Sequence, residues 1–262
     1  MTGNATQATF KGLPKALAAA SRTRRWARRG RALIRRLPIF ADPLHFARYE
    51  VATLSATLPH RLRRSGLTVY LRHHSADLDM LDKVFLDRAY RFPDPVVTSL
   101  QMLGRPIRVL DLGAHIGLFG LYVLQRFPDA WIDSVELDPR DAVVLRRCIR
   151  GNGRLDSWRA IDRIELRARE VLELVPGHDF VKLDIRGDEW SVLSDERFPT
   201  ADVRAVLIDY DSSCCPVPHA RRYLAALLMN AGFSTAFSRS GLCWGWKSSG
   251  IRASGTAYEG AH

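Results

Sequence analysis

Two short apolar runs in this 262-residue chain end in acid: Val181-Lys182-Leu183-Asp184 and Val206-Leu207-Ile208-Asp209-Tyr210-Asp211. Asp184, Asp209 and Asp211 are therefore the candidate catalytic residues. Carboxylates gathered at neighbouring strand ends raise one another's pKa, which suits a general base near neutral pH. The same oxygens also suit Mg²⁺, although a metal is not the expected reading. His74 and His219 are weaker base candidates, because a lone histidine is more often structural or exposed.

A second constellation lies upstream. Residues 108–122 read RVLDLGAHIGLFGLY, an apolar run ending at Asp111 and followed by Gly113, Gly117 and Gly120. Glycine costs a helix interior about 1 kcal/mol relative to alanine, so something must approach this backbone closely. Asp111-x-Gly113-x-x-x-Gly117 lacks the G-x-G of a dinucleotide fingerprint, and no Gly-Lys-Ser/Thr makes it a phosphate loop. Glu136 ends the next strand within Val135-Glu136-Leu137-Asp138-Pro139, where an acid can accept both hydroxyls of a ribose. His115, inside the loop, would orient a ligand. Glu170 reads equally as an adenine contact or as an ordinary acid at a helix start. The alternative for the loop itself is a tight strand–helix turn with a capping acid.

These residues need a scaffold that delivers strand ends side by side. Arg108–Leu112, Trp131–Glu136, Ile164–Ala168, Phe180–Ile185 and Val203–Ile208 read as strands, and their apolar runs fit a parallel sheet covered on both faces. Ile116–Arg126, Arg140–Arg150 and His219–Ala231 read as the intervening helices. Phe233–Phe237 and Leu242–Lys247 flank Arg239-Ser240-Gly241 as a terminal hairpin. The alternation predicts an α/β, Rossmann-like, doubly wound and mostly parallel sheet with a C-terminal hairpin. Before it, residues 43–64 read as helical, Leu67–Arg72 as a strand and Asp79–Tyr90 as a helix, with Phe92-Pro93-Asp94-Pro95 as a break. The predicted division is a basic, largely helical N-terminal extension over 1–66 and a ligand-binding domain over 67–262.

The glycine loop looks like the S-adenosylmethionine loop of Rossmann-type methyltransferases. That cofactor carries a sulfonium and an amino group, which an acid at a strand end serves better than a phosphate cradle would. Five segments together resemble the FkbM-type methyltransferases: His74-Ser75-Ala76-Asp77-Leu78 with the helix to Phe85, Val109–Gly117, Val135–Pro139, Val181–Leu193 and Val206–Asp211. The resemblance covers residues 70–238. It implies a class I methyltransferase fold, S-adenosyl-L-methionine as cofactor and O-methylation of a small-molecule hydroxyl, such as that of a sugar or secondary metabolite. The cofactor-binding residues so expected are Asp77, Asp111, Gly113, Ala114, His115, Gly117, Glu136, Leu137, Glu170 and Asp184, the last facing the reacting methyl. Two positions depart from the family pattern. Arg186 stands where a glutamate is usual, and Asp211 where a Glu-x-His pattern would place histidine. The competing readings are a nucleic-acid-associated methyltransferase and a non-catalytic module of the same fold.

The net charge of +11 is unevenly spread, since 10 basic residues from Lys11 to Arg36 precede Asp42, the first acid. This arm suits an amphipathic helix with weak surface association. It also has the acid-poor composition of a transit peptide, or is a solvated extension. Only Trp26 interleaves with its arginines, so nucleic acid is not an expected partner. No apolar run approaches the length of a membrane span. Cys148, Cys214, Cys215 and Cys243 form no CxxC pair and read as reduced thiols in a cytoplasmic protein.

Overall fold

A computed structural model describes residues 27–52, 56–163 and 165–248. The first part of the basic arm, Ile164 and the C-terminal end lie outside the described residues. Helix α1 (27–36) leads through a 3-10 turn to α2 (Pro43–Val51), which is capped by Asp42 accepting the His45 N–H. Strands β1 (Thr57–Arg61) and β2 (Thr68–Arg72) then form an antiparallel ribbon. Next come α3 (Asp77–Leu81), a π-helical turn (Asp82–Leu86) and α4 (Asp94–Gln101).

The main sheet follows. Its strands are β3 (Arg108–Leu112), β4 (Trp131–Glu136), β5 (Trp158–Asp162), β6 (Phe180–Leu183), β7 (Ala205–Ile208), β8 (Ser234–Phe237) and β9 (Cys243–Trp246). Their spatial order is β5-β4-β3-β6-β7-β9-β8. The first five are parallel, while β9 runs antiparallel to both β7 and β8. Strand order reverses at β3, as in a doubly wound sheet. The terminal hairpin tucks β9 between β7 and β8. This is a Rossmann-like, doubly wound and mostly parallel α/β sheet with a C-terminal hairpin.

Every residue of β6 and β7 is buried, which is why β7 reads as an unbroken apolar run and β6 as one interrupted only by Lys182. Helix α5 (Leu118–Arg126) follows β3, and α6 (Pro139–Gly151) follows β4. Asp138 caps α6 and Pro139 occupies its first turn, where a missing N–H costs nothing. Four shorter or later helices complete the layers: α7 (Ala168–Leu174), α8 (Glu189–Ser194), α9 (Arg197–Thr200) and α10 (Ala220–Asn230).

Several sequence expectations change. The helical reading of 43–64 holds only to Val51, because Thr57–Arg61 pairs as a strand with β2. The strand expected at Ile164–Ala168 is instead Trp158–Asp162, and Ala168 opens α7. Asp94-Pro95, expected as a break, begins α4, since proline is tolerated in a helix's first turn. The boundary expected at 66/67 falls inside the β1–β2 ribbon. Phe40, Phe46 and Leu62 share one core with Val109 and Phe119, so residues on both sides of that boundary pack together.

Candidate active site

The ends of β3, β4, β6 and β7 converge, as parallel neighbours must. The loop after β3 bends away at Gly113 (φ +75°) and His115 (φ 52°) and enters α5 at Gly117 (φ +89°). The Gly113 and Ala114 N–H groups both donate to the Val135 carbonyl, at 3.0 and 3.1 Å. The glycines answer to the protein's own atoms. A Cβ on Gly113 would overlap the Asp184 carbonyl oxygen and lie 3.1 Å from its carbonyl carbon. One on Gly117 would meet Leu145 Cδ1 at 2.9 Å and Trp158 Cζ2 at 3.1 Å, and Gly120 faces the same indole. The close approach inferred from sequence is real, but the neighbours are β6, α6 and β5.

Asp111, expected to face a ligand, is fully enclosed. Its oxygens have no hydrogen-bond partner, and Lys182 Nζ lies 3.0 Å from Oδ1. Lys182 is also buried. Its ammonium donates to the Gly113 carbonyl at 2.9 Å and lies 3.5 Å from Asp184 Oδ2. Burial works to lower the Lys182 pKa, and the charges of Asp111 and Asp184 outweigh it, so the ammonium is retained. Asp111 thus holds the loop through Lys182 and is a positioning residue.

Glu136 occupies the position expected of it at the end of β4. Its Oε2 accepts the His115 N–H at 2.6 Å, and Oε1 accepts the Asp138 N–H at 2.8 Å. A carboxylate offers about four lone-pair sites, so both oxygens keep acceptor capacity. Leu137 beside it is 41% exposed, an apolar surface next to that acid. The His115 ring reaches Asp141 Oδ2 at 3.3 Å and Asp77 Oδ1 at 3.6 Å through Nε2, while Nδ1 is buried with no partner. Asp77 is itself buried and accepts from Nε and Nη2 of Arg72. Glu170 accepts the Arg167 N–H at 3.1 Å and serves as the capping acid of α7.

The three candidate bases separate. Asp184 and Asp209 share one charged cluster, and each faces an ammonium: Lys182 for Asp184, and Lys83 for Asp209 at 2.6 Å. Tyr90 Oη lies 3.5 Å from the same Asp209 oxygen. Burial works against the Lys83 charge, but the hydrogen bond it donates to Asp209 and the fields of Tyr90, Asp209 and Asp184 raise its pKa overall. Asp211 is elsewhere in role. It is exposed, accepts the Ser213 hydroxyl at 2.6 Å and N–H at 2.8 Å, and caps a 3-10 turn. Those donors push its pKa down, the opposite of the shift expected from a carboxylate cluster. His74 bonds the Ala52 carbonyl and His219 is exposed at the start of α10, so neither joins the cluster. Among the described residues, no three His, Cys, Asp or Glu side chains are arranged to hold a metal ion.

Two further residues, neither among the expected site residues, shape this cluster. Lys83 sits in the π-helical turn, a distortion frequent at functional sites, and reaches Asp209 across 126 positions. Buried Glu189 accepts the Ile185 and Gly187 N–H groups, both at 2.7 Å, and so shapes the turn after Asp184. Arg186, where the family pattern has glutamate, points its charge to the surface in a left-handed conformation.

No family model matches the chain. One relative, the type II methyltransferase M.XamI of Xanthomonas campestris pv. amaranthicola, is 40% identical over 68 residues. That segment is 24% of this chain, and the chain spans 13% of the relative's length. Similar solved structures include an O-methyltransferase family protein from Burkholderia thailandensis, with TM-score 0.45 and 19% identity over 68% of this chain and 62% of that one. Another is a SAM-dependent methyltransferase from Agrobacterium tumefaciens, with TM-score 0.46 and 12% identity over 75% and 72% of the two chains. At these scores the strand order, more than any superposition, defines the fold.

Proposed function

We propose that this chain is an S-adenosylmethionine-dependent O-methyltransferase acting on the hydroxyl of a small molecule. The observation that carries the reading is Glu136. Its carboxylate is fixed by two backbone N–H groups at the end of β4, directly beside the glycine loop, with acceptor capacity left for a diol. Leu137 offers an apolar face for an adenine. When bound, the cofactor supplies a methyl group on a positively charged sulfur.

The chain's own part is alignment and proton removal. In-line displacement draws much of its acceleration from holding the two reactants in register. Asp209 is the base favoured here, because its carboxylate is half-buried and held by Lys83 and Tyr90. An acceptor hydroxyl within hydrogen-bond reach would pass its proton to an Asp209 oxygen as its own oxygen attacks. The negative charge of Asp209 and the positive charge of the sulfonium would be lost together, and the part of Lys83 is to hold the carboxylate in place before the transfer. Asp184 is tied to Lys182 and the loop, and its role is to set the floor of the site.

Titration calorimetry with S-adenosylmethionine and with NAD tests the cofactor, and methyl transfer from labelled S-adenosylmethionine to a panel of hydroxylated metabolites tests the reaction. Glu136→Leu should weaken S-adenosylmethionine binding roughly 10–100-fold, as loss of hydrogen bonds to a charged acceptor implies. Binding of NAD with none of S-adenosylmethionine would overturn the assignment.

A further inference from the structure

Four exposed arginines come together on the face formed by the β1–β2 turn, the segment after the π-helical turn and the end of α5. They are Arg64, Arg88, Arg91 and Arg126. Among the described residues none of the four has a carboxylate partner, although Arg35 and Asp87 pair at 2.7 Å beside them. Their base is rigid. Phe92 stacks on Tyr122 with centroids 5.9 Å apart and meets Phe127 at 5.5 Å, Phe85 packs edge-on against Tyr122, and Arg126 lies over the Phe127 ring at 5.1 Å. Burial raises the Tyr122 hydroxyl pKa, and all four guanidiniums act on that one group in the opposite sense. Arg88 is held at φ 53°, a conformation costing non-glycine residues energy.

Like charges gathered without counter-charges call for an anion. Guanidinium forks match phosphate oxygens, and four of them on separate segments exceed what one phosphate can engage. The patch lies beyond the proposed methyl-transfer site. Arg126 closes a nine-residue helix whose first residue follows the glycine loop, placing it about 13 Å away. No large apolar side chain is exposed in 60–66, 85–92 or 122–127, so the patch lacks the inserting groups of a membrane-binding face. Nor does it offer a free aromatic ring for stacking on bases. The Arg35–Asp87 pair ties α1 to its edge.

We propose that this face binds the phosphate backbone of a nucleic-acid duplex without reading its sequence. It is a surface separate from the acceptor site and does not rest on the proposed activity. The test is fluorescence anisotropy of the full-length protein with a labelled mixed-sequence DNA duplex of about two helical turns, between about 50 and 200 mM salt. Each phosphate contact contributes about −0.9 to the slope of log affinity against log salt. Arg91→Gln/Arg126→Gln should flatten that slope by about 1.8, and Arg64→Gln/Arg88→Gln should do the same with a different pair of exposed side chains. Arg222→Gln/Arg239→Gln, exposed arginines on other elements, should leave it unchanged. Equal slopes for patch and control variants would overturn the proposal, because binding would then belong to the arm. So would binding to phosphatidylserine vesicles with none to the duplex.

Discussion

Gly113→Ala separates a loop shaped by the protein from one shaped by a ligand. Two penalties act at this position. The backbone is at φ +75°, where a Cβ costs roughly 1–2 kcal/mol. The added Cβ also runs into the carbonyl of Asp184, a backbone atom just past the end of β6, and overpacking of that kind costs typically 1–3 kcal/mol. Together they predict a loss of about 2–5 kcal/mol in the absence of any cofactor. For a domain of this size that is a fall in Tm of roughly 5–20 °C. Gly104→Ala is the internal control, since Gly104 has φ +62° but open space around it and incurs the conformational penalty alone. Thermal and urea unfolding of both variants, without ligand, measure the difference. Gly113→Ala unfolding at the same temperature as Gly104→Ala would refute the contact with Asp184. The glycine would then have to be explained by what binds there.

Lys182→Met should destabilise the fold by about 3–5 kcal/mol in urea unfolding, because it leaves Asp111 buried and unpaired. Adding Asp111→Leu should recover part of that loss, and no loss in the single variant would show that the pair is not ionic. Once an acceptor is found, Asp209→Asn should lower turnover at least ~100-fold with cofactor affinity little changed. Asp211→Asn should leave turnover within a few-fold, since asparagine also caps; the reverse ranking would transfer the base to Asp211. Burial, then His73 and His45, hold His60 down to about 3 from its ordinary 6.5. The unfolded chain therefore binds a proton that the folded one refuses between those values, and stability falls as pH is lowered through that window. The loss is roughly 2 kcal/mol by pH 5, read as a shift in urea midpoint, and His60→Gln should flatten the profile.

How much of this was legible in the sequence depends on how far apart the interacting residues lie. Strands β3, β6 and β7 declare themselves as largely apolar runs because both of their faces are covered. Strand β5 does not. Trp-Arg-Ala-Ile-Asp sits at the sheet edge with mixed burial, and the strict alternation of Ile164-Glu165-Leu166-Arg167-Ala168 after it is the cleaner strand pattern. Strand β1 contains Pro59 and pairs on one side only, which proline tolerates but which blurs the strand signal. Glu136 was readable because its partners, His115 and Asp138, are set by the strand–loop–strand spacing. Lys83 was not readable, since nothing local marks a lysine that meets its aspartate across the fold.

The glycines show where local reasoning stops. Their spacing reports that no side chain fits, and the same spacing would arise whether a ligand or another strand were the obstacle. Gly113, Asp184, Lys182 and Asp111 in fact interlock. The carbonyl of Asp184 excludes a Cβ at Gly113, the ammonium of Lys182 holds the Gly113 carbonyl, and Asp111 holds Lys182. Substitutions within that set will change folding and ligand binding together, so loss of function there says little about contact with the cofactor. Glu136 and Asp209 differ in kind. Both are part-exposed and keep lone pairs free beyond the bonds they make within the chain. Their variants can stay folded while losing one step, which makes these two positions the ones at which binding and chemistry can be told apart.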